Sequence, residues 1–320
     1  MKTFFIIVTA LILFSGCEKR EYKELKVGMS PWPGYEALYI ALQKDFFDNP
    51  NIKIVRYETP TDSFKALRDG LIDVAAFTAD EVLHFAEVRN EPKIFLILDV
   101  SNGADAIVAH KNIKTINELK GATIGVERSA LGEYMLKRVM DFSTNTLTQD
   151  DIRVKNIEIS HQVDAFRDGE VDAVVTYEPF KSILLEAGAH VIFDSTKMPN
   201  EIVDILVASK ETLKSKKSEL VDLGRGWFKA QAYIKSHKKE SMKIMAKNEH
   251  IDVETFTKSY SDLFVPTLED NIRMLGSNKD VSLFNALDKL SFIMYKNRTT
   301  STKISVESVV SDEIVKEIRR

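Results

Sequence analysis

Five carboxylates, Asp80, Asp105, Glu127, Glu178 and Asp204, stand at the margins of short apolar runs, with Arg128 the one base near them. That balance suits a ligand that donates hydrogen bonds, such as an amine or an amino-bearing ring. It leans away from a free inorganic anion, because another negative charge in a shielded cleft is costly unless it is protonated or paired. Three aromatic residues, Trp32, Tyr35 and Tyr177, accompany the acids. A flat or cationic group held by such rings gains roughly 0.5–2 kcal/mol, depending on desolvation. Trp32 and Tyr35 belong to the stretch Met29-Ser30-Pro31-Trp32-Pro33-Gly34-Tyr35, where an apolar strand runs into two prolines. Proline removes a backbone donor and fixes φ, so the strand must stop there. Gly34 permits the bend, and "YEALYIALQKDFF" then reads as an amphipathic helix closed by Asp48-Asn49-Pro50. The turn presents its aromatics at the carboxyl end of a strand, where open α/β sheets bind ligands. Packing of the strand–helix corner is the competing role for the same rings.

Other chemistry is missing. His84, His110, His161, His190, His237 and His250 show neither H-x-H nor HExxH spacing, and no GxSxG elbow, Walker loop or GxGxxG occurs. No catalytic residue, metal site or cofactor is expected. Cys17 is the only cysteine in 320 residues, which excludes an intrachain disulfide or a thiolate cluster. It follows "MKTFFIIVTALILFSG", a one-lysine apolar run of the length of a secretory signal. Ser15-Gly16-Cys17 resembles the end of a bacterial lipobox, although Phe14 stands where that pattern prefers leucine. Cys17 is therefore expected to carry a lipid anchor, which removes it as a nucleophile, and "EKREYKE" reads as a short tether. Formal net charge is −4, and the lysine clusters at 213–217 and 236–240 are balanced by nearby acids, so nothing suggests a nucleic-acid surface.

The remaining chain of about 300 residues exceeds the usual single core, so two lobes are expected. The stretch "FKALRDGLIDVAAFTADEVL" (64–83) is echoed by "VDAFRDGEVDAVVTYEPFKSIL" (163–184). Each copy is a helix ending in Arg-Asp-Gly, then an aspartate, then an apolar strand. Gly70 and Gly169 suit the left-handed helix C-cap. Asp73 and Asp172 lie 99 residues apart, and "KVGMS" and "TIGVE" recur at 97. The chain thus contains two similar α/β units, each expected to hold a mostly parallel sheet. Helical patterns follow at 212–236, 239–248, 253–262, 267–275, 281–296 and 311–319. They are expected to pack back on the first unit, so that the chain crosses between lobes near 99–104 and near 204–208.

These patterns resemble the type II periplasmic solute-binding proteins of ABC importers, in the nitrate, sulfonate, taurine and thiamine-precursor class. The resemblance is carried by "SPWPGYEALYIA" (30–41), "DGLIDVAAFTADEVL" (69–83), "LDVSNGADAIVA" (98–109), "LKGATIGVERSALGEYML" (119–136) and "GEVDAVVTYEPF" (169–180). It implies a two-lobed α/β fold with two mixed, mostly parallel sheets, flanking helices and two crossing strands, closing on a small solute. Lobe 1 is expected from 22–100 and 206–320, and lobe 2 from 101–205. If both sheets point their carboxyl ends at a shared cleft, the ligand-binding residues are Ser30, Trp32, Tyr35, Thr78, Asp80, Ser101, Gly103, Asp105, Glu127, Ser129, Tyr177, Glu178 and Asp204. Ser129 is placed to cap a helix whose N-terminus would attract an anion, against the lean of the acids. "SNGAD" reads as a bend between lobes or a set of backbone donors to the ligand. Asp105 reads as an amine partner or an exposed hinge residue, and Glu178 as a ligand contact or a cap or salt-bridge partner before Pro179. The function implied is capture of a small organic solute, leaning to a thiamine-precursor type of pyrimidine, by a monomeric envelope lipoprotein that delivers it to a membrane permease. A sulfonate or taurine binder, a sensory receptor built on the same clamp and an enzyme on the same fold are the alternatives.

Overall fold

The computed structural model describes residues 22–87, 91–127, 130–143, 147–276, 283–296 and 298–319. Cys17 and the apolar N-terminal run, with Arg128 and Ser129, lie outside the described residues. The first unit runs β1 (Leu25–Met29), α1 (Ala37–Gln43), β2 (Ile52–Arg56), α2 (Pro60–Arg68), β3 (Val74–Thr78), α3 (Ala79–Ala86) and β4 (Pro92–Ser101). The second runs β5 (Asp105–Ala109), β6 (Thr123–Val126), α4 (Ala130–Phe142), β7 (Arg153–Asn156), α5 (Ile159–Arg167), β8 (Ala173–Tyr177), α6 (Phe180–Glu186) and β9 (His190–Asp194). The chain then returns through β10 (Val203–Ser209). A helical region follows: α7 (Lys210–Ser215), α8 (Lys217–Ser236), α9 (Lys238–Asn248), α10 (Val253–Ser261), a short β11 (Leu263–Phe264), α11 (Leu268–Leu275), α12 (Leu283–Lys296), α13 (Val306–Val309) and α14 (Glu313–Arg319). The helix expected over 212–236 is interrupted at Lys216, whose φ of −124° and ψ of 30° are not helical.

Two sheets result, in the orders β11-β4-β10-β3-β1-β2 and β7-β6-β8-β5-β9. The repeat seen in the sequence is a structural repeat. In each sheet one strand pairs parallel with the next two in the chain: β1 with β2 and β3, β6 with β7 and β8. A strand arriving from the other side then joins antiparallel: β10 against β3 and β4, β5 against β8 and β9. Antiparallel pairings are therefore as prominent as parallel ones, because each crossing strand enters the far sheet against its grain.

The Arg-Asp-Gly…Asp echo has a physical basis. Gly70 and Gly169 end α2 and α5 at φ of +72° and +70°, a region open to glycine without a Cβ penalty. The next aspartate ties the following strand to the first one. Asp73 Oδ2 accepts from Lys26 N at 2.9 Å, and Asp172 Oδ2 accepts from Thr123 N at 2.7 Å. In return, Asp73 N donates to Lys26 O and Asp172 N to Thr123 O. Two copies of one pattern thus fix two copies of one strand pairing, β1 with β3 and β6 with β8.

The first sheet is buried on both faces, with Val27, Phe77, Ile97 and Leu206 inside one large core shared with α8, α12 and α14. Each such side chain contributes roughly 1.5–3 kcal/mol by leaving water. The second sheet has separate clusters on its two faces, one around Ile124 and Val139, the other around Phe166 and Leu184. Among the described residues no helix is long and apolar enough to cross a membrane.

Candidate ligand-binding cleft

The carboxyl ends of β1 and β3 and the start of β10 meet along one margin of the first sheet. They supply Ser30, Thr78 and Asp204, and Thr78 pairs in register with Asp204. The second sheet repeats this arrangement with the ends of β6 and β8 and the start of β5. These give Glu127, Tyr177 and Asp105, and Asp105 pairs in register with Tyr177. Between the margins lies a cleft, lined also by Pro31, Trp32, Tyr35, Pro60, Glu81 and Leu131. The two crossing strands thus place Asp105 and Asp204 at equivalent positions, one from each sheet.

Trp32 is held at two points. Its backbone N–H donates to Glu249 Oε1 at 3.2 Å, and its indole N–H lies 3.2 and 3.3 Å from the two Asp99 oxygens. Glu249 also meets Arg56 at 3.3 Å. Burial, and then the hydrogen bond with Glu249, pushes the neighbouring Glu36 up to about 9. The Tyr35 hydroxyl donates to Asp204 Oδ1. Trp32 and Tyr177 meet edge to face, with ring centroids 5.9 Å apart and planes at 72°, so the aromatic contact itself spans the two sheets.

Gly34 makes this packing possible, since a Cβ there would lie 1.9 Å from Asp99 Oδ2 and 2.7 Å from Trp32 Nε1. Both groups are buried and hydrogen-bonded, so neither can swing aside freely. Gly34→Ala is expected to destabilise the protein by about 1–3 kcal/mol, the cost of overpacking a filled core. Urea denaturation checks this, and an unchanged midpoint would mean that the turn relaxes without cost.

Residues 32–241 match the family described as NMT1/THI5 like. The chain belongs to that family. A protein of Bacillus subtilis (strain 168) named as a candidate aliphatic sulfonates-binding protein is 20% identical over 342 aligned positions, covering 98% of this chain and 96% of its own. The solved alkanesulfonate-binding protein SsuA of Xanthomonas axonopodis pv. citri, bound to MOPS, superimposes with a TM-score of 0.75 at 16% identity, over 91% of this chain and 99% of that one. The desulfurization enzyme DszB superimposes with a TM-score of 0.70 at 13% identity, over 92% of this chain and 99% of its own. The fold is that of the type II periplasmic binding proteins, and both a binding protein and an enzyme are built on it.

Eight of the positions read from the sequence line the cleft of this NMT1/THI5-like protein: Ser30, Trp32, Tyr35, Thr78, Asp105, Glu127, Tyr177 and Asp204. Four others lie behind its walls. Ser101 Oγ meets Ser195 Oγ at 2.7 Å, and Gly103 N donates to Ser195 Oγ at 2.6 Å, so the "SNGAD" bend is pinned to the end of β9. Glu178 is fully buried in an ion cluster, 3.0 Å from Lys181, and accepts from the Ser259 hydroxyl at 2.9 Å. Lys181 also contacts Asp262 at 2.5 Å and donates to Gly103 O at 2.8 Å. Asp80, on the first turn of α3, is buried just off the cleft. Its neighbour Glu81 lines the cleft instead and accepts from Thr78 N at 3.0 Å and Thr78 Oγ1 at 3.1 Å. The Thr-x-x-Glu capping pattern in "TADE" was the sequence signal for Glu81.

The acids are held out of water with little positive charge near them. Burial first, and neighbouring acids after it, push Asp105 up to about 7 and Glu81 up to about 8. Burial also raises Asp204, with Asp99 adding to the effect. Glu127 is raised by burial and then by Glu158. One oxygen each of Asp80, Asp105 and Asp204 has no hydrogen-bond partner, an unusual state for buried polar atoms. Among the described residues no group of three or more His, Cys, Asp or Glu side chains is placed to hold a metal ion.

Proposed function

We propose that this protein is an extracytoplasmic solute-binding protein that closes two lobes on a small amine-bearing organic solute and delivers it to an ABC permease. One observation carries the choice of solute. The twelve described lining residues include four carboxyls, Glu81, Asp105, Glu127 and Asp204, and no lysine, arginine or histidine. A sulfonate or nitrate would bring a further negative charge among them, whereas an ammonium or ring amine supplies the donors that Asp105 and Asp204 lack. Trp32, Tyr35 and Tyr177 provide the apolar and aromatic wall, and an aminopyrimidine of the thiamine-precursor type fits this chemistry. Family membership supports the transport role. The lobes in this reading are 22–100 with 206–320, and 101–205; Cys17 carries the lipid anchor, and the protein acts as a monomer in the envelope without catalysis.

A thermal-shift panel tests the reading, because a ligand that binds the native state raises its stability by mass action. Benzylamine and aminopyrimidines are expected to raise Tm, while taurine, alkanesulfonates and nitrate leave it unchanged. Trp32→Ala weakens binding of the ring. Asp105→Asn costs about 1.5–3 kcal/mol for an amine, the strength of a hydrogen bond to a charged group, and little for an isostere without the amine. Stabilisation by sulfonates alone would overturn the choice of ligand and return the site to the chemistry named for its relatives.

A further inference from the structure

We propose that the floor of the cleft stores one proton between Asp99 and Asp204, and that a ligand cation binds by displacing it. The inference rests on the amine reading above. Asp99 on β4 and Asp204 on β10 are register partners, and both are buried, at 0% and 1% exposure. As register partners their side chains lie side by side on one face of the sheet, and two buried carboxyls with no counter-ion between them among the described residues retain a proton, since both cannot ionise together and two carboxylates can only accept. Every other donor to the pair is accounted for: the Trp32 indole serves Asp99, and the Tyr35 hydroxyl serves Asp204 Oδ1. Asp204 lines the cleft, and its Oδ2 has no hydrogen-bond partner. The groups that act on the pair from neighbouring elements are Asp105 of β5, Glu81 of α3, Tyr177 of β8 and Tyr260 of α10, all acidic. Lys181, which acts on Asp105, is engaged by Glu178, Asp262 and Gly103 O. With no cation among the described residues free to neutralise it, a second charge in this spot is disfavoured below neutrality until a ligand brings one. Burial, chiefly, pushes Asp99 up to about 7, consistent with a proton held near neutrality.

The exchange balances. The protonated pair plus an ammonium ligand gives the doubly ionised pair with the ligand bound, and one proton passes from the carboxyl O–H to water. Cation affinity then rises about tenfold per pH unit while the pair is protonated, and levels off once it is empty. An uncharged isostere releases no proton and binds independently of pH. In this scheme Asp99 is a positioning residue. It sits behind Trp32 and acts on the ligand through Asp204.

Two measurements decide the proposal. In the ligand-free protein, a pH titration followed by Trp32 emission in a Trp227→Phe background is expected to show a transition near neutrality, lost in Asp99→Asn and in Asp204→Asn. Absence of that transition overturns the proposal. Calorimetry with benzylamine at about pH 6, in two buffers of different ionisation enthalpy, is expected to show release of about one proton per ligand, against none for benzyl alcohol. In Asp99→Asn the pH slope of benzylamine affinity should flatten. Benzylamine binding without proton release overturns the stored proton and leaves the amine reading standing. Failure of benzylamine to bind at any pH between about 6 and about 9 overturns the displacement. Sulfonate binding with proton uptake overturns both readings.

Discussion

Lys181→Met is expected to destabilise the protein by about 3–5 kcal/mol, the range for breaking a buried ion pair from one side. Glu178, at 0% exposure, would lose its cation while remaining out of water, and Asp262 and Gly103 O would lose the same donor. Burial alone would push the Lys181 ammonium down, but Glu178 and Asp262 together more than offset it and leave it raised. Much of the expected loss is therefore the penalty of an orphaned carboxylate. The double variant Glu178→Gln with Lys181→Met should recover a large part of it, a coupling that a double-mutant cycle in urea measures directly. Additive losses would show that the two side chains act separately. Because the cluster joins α6 to the end of α10, the single variant should also loosen the contact between the two sheets. Glu178→Gln alone should leave the ligand panel's ranking unchanged, as Glu178 does not face the cleft.

The ligand-free protein should lose stability as pH rises from about 4 to about 7, to an extent set by the cleft acids. Asp99 and Asp105 are raised to about 7 and Glu81 to about 8, with burial the first cause in each. A carboxyl near 4 in the unfolded chain and near 7 in the native state makes the native state the greater binder of protons across that window. Its contribution is fully present below about pH 4 and is lost as pH rises through about 7, at a slope of roughly 1.4 kcal/mol per pH unit for each proton. Surface acids such as Asp151, held at about 2 by Thr148 and Lys120, act in the opposite sense at lower pH. The informative quantity is therefore the difference between variants. Asp105→Asn should flatten the slope between about pH 5 and pH 7 by about one proton and be more stable than the parent at about pH 8. Parallel curves for parent and variant would refute the assignment. A flattened slope would show instead that the cleft gives up stability at neutral pH, as functional sites commonly do.

Much of this was legible because local patterns carry local physics. The Arg-Asp-Gly…Asp echo marks the cap, the strand and the bond from Asp73 or Asp172 to the first strand, all within a few residues in sequence. The two prolines around Trp32 located a strand end, and strand ends became cleft margins. Side-chain direction was less legible. Glu178 follows Tyr177, and successive residues of an extended chain point to opposite sides, so Tyr177 faces the cleft while Glu178 turns to Lys181. One step along the first turn of α3 likewise separates Glu81, in the cleft, from Asp80, behind it. Contacts such as Lys181 with Asp262, or Trp32 with Asp99 and Glu249, join residues far apart in sequence and leave no local trace. The same holds for Asn271 of α11, whose side chain bonds both backbone groups of Ile97 beside an irregularity in the β4–β10 register.

The position of β10 bears on how the chain is made. Residues 105–194 close a five-stranded sheet from one continuous segment, so this half can form as soon as it leaves the ribosome. The other sheet must wait. Its central strand, β10, is wedged between β3 and β4 and is synthesised only after the whole second sheet. Until residue 209 emerges, β3 and β4 each keep an open edge on a buried, apolar strand, the kind of edge that invites wrong partners. No truncated product that ends before β10 can close that sheet, so the older half of the polypeptide is the last to become native.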